Sequence, residues 1–266
     1  MYDNFSRRIN YLRISVTDRC NLRCVYCMPP EGIKMLSHKD ILSYDEIFEV
    51  TKTAVSLGVD KVRITGGEPL VRKGITELVR MIASINGIKD FAMTTNGTLL
   101  KQFAGDLKTA GLHRVNISLD TIDPHQYRKI TREGNIQDVL HGIDAAREAG
   151  LEPIKINCVV KKSSKEPDAL KVGEFCHKNG LKVRYIHEMK LEAGLFNVVE
   201  GGDGGDCQRC NRLRLTADGK ILPCLFSDLG YDVRELGAEN AIRLAVDEKP
   251  ECGTANHFKQ FSNIGG

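Results

Sequence analysis

The sequence predicts an α/β fold on a parallel sheet, from three observations: six short β-rich runs, amphipathic helical stretches between them, and a change of pattern after residue 190. The runs are YLRISV (11–16), KVRITG (61–66), FAMTTN (91–96), RVNISLD (114–120), IKINCVV (154–160) and LKVRYIHEM (181–189). Strands separated by helices imply right-handed crossovers and parallel pairing. An open doubly wound sheet and a curved partial barrel both fit, while six units are too few for the usual eight-stranded barrel.

The clearest helix is predicted over 43–57, where Ile47, Val50, Ala54 and Leu57 share a face, Ser43 with Glu46 makes a capping box and Gly58 stops the helix. A second covers 135–149, with Ile136, Val139, Leu140, Ile143 and Ala146 at helical spacing before Gly150, and a third runs from Pro167 to Gly180. Beyond 190 a Gly-rich stretch, EGGDGGDCQRC (200–210), leads into a cysteine-bearing tail that reads as an appended module. The expected division is therefore 1–190 and 191–266.

Composition is that of an ordinary globular protein, with 41% hydrophobic and 27% charged residues. A start lacking a signal-peptide core and the lack of an apolar run of about 18 residues point to a cytoplasmic protein with no membrane partner. A net charge of +3 is too slight for a nucleic-acid-coating surface, and leaves a small phosphorylated anion as the better ligand class. Nine cysteines without a secretion signal argue for metal ligation over disulfides. Six form two triplets, Cys20/Cys24/Cys27 and Cys207/Cys210/Cys224. Cys158 and Cys176 read as packing residues and Cys252 stays open.

In folds of this kind chemistry gathers at the carboxyl ends of the strands. Cys20 follows the first run, TGGEP (65–69) ends the second, TTNG (94–97) the third, SLD (118–120) the fourth, and Met189 the sixth. A structural zinc at the first triplet needs a fourth ligand, and none is close in sequence. A four-iron cubane held by three cysteines keeps one iron open for an exogenous ligand.

With C-x3-C-x2-C, Tyr26 before its last cysteine, and GGEP downstream, the chain resembles the radical S-adenosylmethionine (SAM) superfamily. The resemblance implies a [4Fe-4S] cluster on Cys20, Cys24 and Cys27, and SAM bound near Tyr26, Gly66, Gly67, Glu68, Ser118 and Met189. Glu68 would add a charge near the amino group of SAM, and the two glycines would let the backbone approach the ligand.

The second triplet, Cys207-x2-Cys210-x13-Cys224, reads as zinc if Cys252 closes the site, and as a second cluster if it does not. Arg212 and Arg214 lie two apart beside it and suit an anion better than a solvated edge. Together with the terminal NIGG, this motif makes the chain similar to the GTP 3′,8-cyclase family of molybdenum cofactor biosynthesis, from about residue 7 onward.

That likeness implies a partial (β/α)6 TIM-like barrel with a carboxyl-terminal cluster-binding module, and a second [4Fe-4S] cluster on Cys207, Cys210 and Cys224. It implies GTP contacts at Arg13, Lys61, Arg63, Thr94, Lys155, Arg184, Arg212 and Arg214, and catalytic roles for Arg212, Arg214, Gly265 and Gly266. The implied partners are GTP and an external one-electron reductant, with a homodimer left open.

Two departures stand out. Only 17 residues separate Met189 from Cys207, so the segment covering the cavity is short, and His187 replaces a family Glu. A twitch-type radical SAM enzyme acting on another nucleotide or a peptide is the alternative. A non-enzymatic double-zinc module is disfavoured by so large a scaffold.

Overall fold

The structure, a computed structural model, describes residues 1–257. The expected tail residues Gly265 and Gly266 lie outside the described residues. All six β-rich runs form strands: β1 (Tyr11–Ser15), β2 (Lys61–Thr65), β3 (Asp90–Thr95), β4 (Arg114–Ser118), β5 (Lys155–Val160) and β6 (Lys182–His187). The crossovers carry α1 (Tyr44–Ser56), α2 (Ile75–Ala83), α3 (Leu100–Thr109), α4 (Pro124–Thr131), α5 (Ile136–Glu148) and α6 (Pro167–Lys178).

Local chemistry explains the helix starts. Ser43 and Glu46 form the reciprocal capping box of α1. Asp123 accepts from the Gln126 amide at the start of α4, with Pro124 in its first turn. Asn135 caps α5 through the Gln137 amide.

The strands alternate in two senses at once. Leu12, Ile14, Val62, Ile64, Met93, Val115 and Ile117 point outward under the helices and are at most 1% exposed, each burial contributing roughly 1.5–3 kcal/mol. The intervening positions point inward and are polar: Tyr11 and Arg13 on β1, Lys61 and Arg63 on β2, Arg114 and Asn116 on β4, Lys155 and Asn157 on β5. Most parallel strands are apolar on both faces. Here the inner face is reserved for something charged.

After residue 190 the chain extends the same sheet. β7 (Arg212–Leu215) pairs in parallel with β1, and β8 (Lys220–Leu222) and β9 (Tyr231–Asp232) extend the sheet antiparallel. One nine-stranded sheet results, in the order β6-β5-β4-β3-β2-β1-β7-β8-β9. Leu213, Leu215 and Ile221, with Ala241, Ile242 and Ala245 of α8 (Ala238–Asp247), join the main core; a four-residue helix, α7 (Val233–Leu236), precedes α8. The physical reason is the edge of β1, whose backbone groups would otherwise lack a ladder partner on that side. A small separate core of Leu191, Leu222, Leu225 and Phe226 lies under the 190–206 segment.

Candidate active site

Sheet register assembles the site. One row across five strands reads Arg214, Arg13, Arg63, Ala92 and Arg114, on β7, β1, β2, β3 and β4. The row nearer the strand starts reads Arg212, Tyr11, Lys61 and Asp90. Within these rows Arg114 meets Asp90, which accepts from its Nε at 2.9 Å and its Nη2 at 2.6 Å. The remaining cations, with Lys155 and Arg184, line a cavity of about 360 Å³, the size of a small-molecule site.

Crowded like charges with little water depress one another. Burial brings the Arg214 guanidinium down to about 10, with the Arg212 charge adding to it. Burial, then Arg114 and Arg184, brings Lys155 down to about 8. Arg13 is held well below its usual range by burial and by Arg214.

Tyr11, which the sequence reading did not single out, sits among these cations. The Arg63 and Arg212 guanidiniums lie 5.3 and 5.6 Å from its ring centroid. Its hydroxyl is buried and, like the Nε atoms of Arg63 and Arg212, has no hydrogen-bond partner among the described residues. Burial pushes the phenol up, yet Arg63, Arg13 and Arg212 hold it below its ordinary value. The signal was present: Tyr11 and Arg13 are two apart on one strand and so share a face.

The cavity also touches Met189, Cys207, Cys210 and Cys224. The 190–206 segment, short as it is, forms one wall with Phe196, Asn197 and Asp203. Phe196 stacks on Phe226, centroids 4.4 Å apart, and Glu200 bridges to Tyr185 on β6. His187 meets Glu200 at 3.4 Å, a strand histidine satisfied by its neighbour. Thr94, grouped with the cations in the sequence reading, is not among the cavity's lining residues and accepts instead from the Asn116 side chain at 3.5 Å.

The first triplet occupies the rim at the carboxyl ends of the strands. The Cys27 amide donates to the Cys24 carbonyl at 2.9 Å, and Asn96, just past β3, donates to Cys20 Sγ at 3.8 Å. Burial raises the Cys20 thiol to about 11 and the Cys24 thiol to about 12, with neighbouring thiols and carboxylates adding to both. Thiols that oppose one another's ionisation in this way suit a cationic group that takes up their charge. Tyr26 donates to Asp120 Oδ2 at 2.7 Å, and Asp120 Oδ1 accepts from the Val159 amide at 2.8 Å, which ties the triplet's loop to β4 and β5. Ser118 ends β4 beside it.

Gly66 and Gly67 do permit a close approach, but its object is the chain itself. A Cβ on Gly67 would collide with the Arg19 carbonyl. The Gly67 amide donates to the Thr17 carbonyl at 2.7 Å and the Glu68 amide to the Arg19 carbonyl at 2.8 Å. GGEP thus clamps the loop that delivers Cys20. Glu68, 1% exposed, uses both carboxylate oxygens within the protein: Oε1 accepts from the Leu70 amide (3.0 Å) and Thr95 Oγ1 (2.8 Å), and Oε2 from the Asn96 amide (2.6 Å). Burial raises it to about 7.

At the second triplet, burial pushes Cys210 up while Lys249 and Arg212 bring it below its ordinary value; Cys224 is raised by burial. Cys252, exposed, brings its Sγ to 3.2 Å from Cys207 Sγ. Among the described residues no three His, Cys, Asp or Glu side chains converge as tightly as ligands of a single ion do. A cubane spreads its thiolates over separate iron corners and so asks for a looser arrangement than a single ion does. Also among the described residues, no helix is long and apolar enough to cross a membrane.

The fold and rim define a class, that of the radical SAM superfamily, whose profile matches residues 14–176. Among solved structures, SuiB from Streptococcus suis bound to S-adenosylmethionine superposes with a TM-score of 0.65 at 16% identity, covering 91% of this chain and 64% of that one. Curated relatives are nearer. A GTP 3′,8-cyclase from Thermodesulfovibrio yellowstonii is 42% identical over 323 residues, covering all of both chains. One from Geobacter sulfurreducens is 39% identical, covering 100% of this chain and 99% of that one. The chain belongs to the GTP 3′,8-cyclase family of the radical SAM superfamily.

Proposed function

We propose that the protein converts GTP to (8S)-3′,8-cyclo-7,8-dihydroguanosine 5′-triphosphate in molybdenum cofactor biosynthesis. The observation that carries the proposal is the Arg row facing a cavity beside Cys207, Cys210 and Cys224. A triphosphate would bring several negative charges to the cluster of Arg13, Lys61, Arg63, Lys155 and Arg184, and the Tyr11 hydroxyl adds a donor to it.

Cys20, Cys24 and Cys27 would hold one [4Fe-4S] cluster and Cys207, Cys210 and Cys224 a second, the 191–266 stretch thereby acting as the auxiliary cluster-bearing part. A cluster bound at the first triplet and reduced by an external one-electron donor would supply the electron for cleavage of SAM, the source of the 5′-deoxyadenosyl radical for hydrogen abstraction at C3′ of the ribose. The protein's contribution is positional. Gly66, Gly67 and Glu68 hold the loop of Cys20 in place, Tyr26, Ser118 and Met189 border the SAM side, and Arg212 and Arg214 orient the base beside the second triplet. Phe196 and Phe226 exclude water from the carbon radical while C3′ closes on C8.

The test is anaerobic incubation with dithionite, SAM and GTP. The expected products are 5′-deoxyadenosine and a cyclised nucleotide; deoxyadenosine with intact GTP would refute the assignment. One observation favours a second reading, a radical SAM enzyme for another nucleotide: only 17 residues separate Met189 from Cys207, so the segment that walls the cavity there is short. Running the assay across nucleoside triphosphates decides between them.

A further inference from the structure

We infer that Cys252 is a spare ligand of the carboxyl-terminal centre, able to take the same iron corner as Cys207. The inference rests on the reading of Cys207, Cys210 and Cys224 as cluster ligands. Cys252 does not arrive there by chance folding of a loose end. Arg7, only 7% exposed, donates from Nη1 to the Cys207 carbonyl at 2.7 Å and the Glu251 carbonyl at 2.8 Å, and from Nη2 to the Pro250 carbonyl at 2.7 Å. Its Nε is held by Asp3 Oδ2 at 2.6 Å. One buried guanidinium therefore joins the two cysteine-bearing loops to each other.

The rest of the strap is fastened as firmly. Lys249, 3% exposed, donates to the carbonyls of Arg212 (2.8 Å) and Pro223. The Thr254 amide donates to Phe226 O at 3.0 Å, and Asn256 Nδ2 to Leu225 O at 3.0 Å. Gly253 passes so near Cys224 that an added Cβ would lie 3.1 Å from its Sγ. Residues 249–256 are built to lie across the triplet, with a thiol facing it.

The contact distance says what that thiol can do. Thiolates on different corners of a cubane are kept apart by the cluster between them. Two sulfurs 3.2 Å apart compete for one corner, which leaves the fourth corner, the one proposed for the base, untouched. The exchange is a ligand substitution: the Cys252 thiol binds iron and gives up its proton, the Cys207 thiolate leaves and takes the proton, and no electron is gained or lost. The site thus tolerates loss of either sulfur, which a three-cysteine centre does not.

The test counts iron and acid-labile sulfide in the full chain after anaerobic reconstitution, with the amino-terminal cluster as internal reference for folding. Wild type should hold about eight irons. Cys207→Ala and Cys252→Ala should each retain about eight, whereas Cys210→Ala and the Cys207→Ala/Cys252→Ala double variant should fall to about four. Cys207→Ala falling to about four, as Cys210→Ala does, would overturn the inference while leaving the second cluster intact as a reading. Four irons with or without a zinc in wild type would instead sink that reading and the inference with it.

A second measurement needs no variant. In the iron-free chain, diamide should remove one hydrogen from each thiol and give a Cys207–Cys252 disulfide, seen by peptide mass mapping. Independent alkylation of the two thiols after diamide treatment would show that they do not meet, and would overturn the inference.

Discussion

Replacing Tyr11 by Phe should make the protein more stable and worse at binding GTP. The hydroxyl is buried with no partner among the described residues, and leaving such a group unmade costs about 1–3 kcal/mol. Phenylalanine removes the hydroxyl and keeps the ring, so the packing of Arg63 and Arg212 against it at 5.3 and 5.6 Å survives. The ligand-free holoprotein should therefore melt higher, by about 2–4 °C for each kcal/mol recovered in a chain of this size. With GTP bound the sign reverses, because a hydrogen bond to a charged phosphate contributes about 1.5–3 kcal/mol. Its loss should weaken binding by roughly 10- to 150-fold. The assay pairs anaerobic thermal unfolding with calorimetric titration of GTP, and repeats the titration with guanosine, whose affinity should not change. A lower melting temperature, or an unaltered GTP dissociation constant, would refute the reasoning.

Three further outcomes follow from the site. Arg212→Ala or Arg214→Ala should cut cyclised product by about 100-fold or more, the size expected for losing a charged donor at the reacting group, with about eight irons still bound; turnover surviving both changes would remove the two from the site. Lys155, lowered to about 8, binds a triphosphate in its protonated form. GTP affinity should accordingly be full below that pH and weaken as pH rises through it, and Lys155→Arg should flatten the profile between about 8 and 10. In Gly67→Ala the new methyl meets the Arg19 carbonyl and displaces the loop of Cys20. Iron should then drop to about four per chain, and an unchanged count would show that the clamp is dispensable.

Much of the fold was legible because its signals are local. The six strands announce themselves by alternation, α1 by the Ser43–Glu46 box and α5 by its apolar stripe before Gly150. Two helices gave weaker signals: α3 carries Gly105 in its middle, and α4 has only eight residues. The cysteine triplets and GGEP were likewise visible, since spacing along the chain is a short-range property. Their use was less visible. Glu68 looks like a ligand contact in sequence, but its oxygens are taken by Leu70, Thr95 and Asn96, and the last two lie a whole crossover away.

What the sequence determined by itself is the set of elements and the chemical type of the site, because side-chain periodicity and metal-ligand spacing are written in neighbouring residues. Only the tertiary structure decided that β7 would close against β1 and bring Arg212 and Arg214 into register with Tyr11 and Arg13. The same holds for Arg7, which draws Cys207 and Cys252 together although 45 residues separate the two cysteines. Pairing across such separations is set by which edges and carbonyls remain unsatisfied once the local elements have formed, and that is a property of the packed chain.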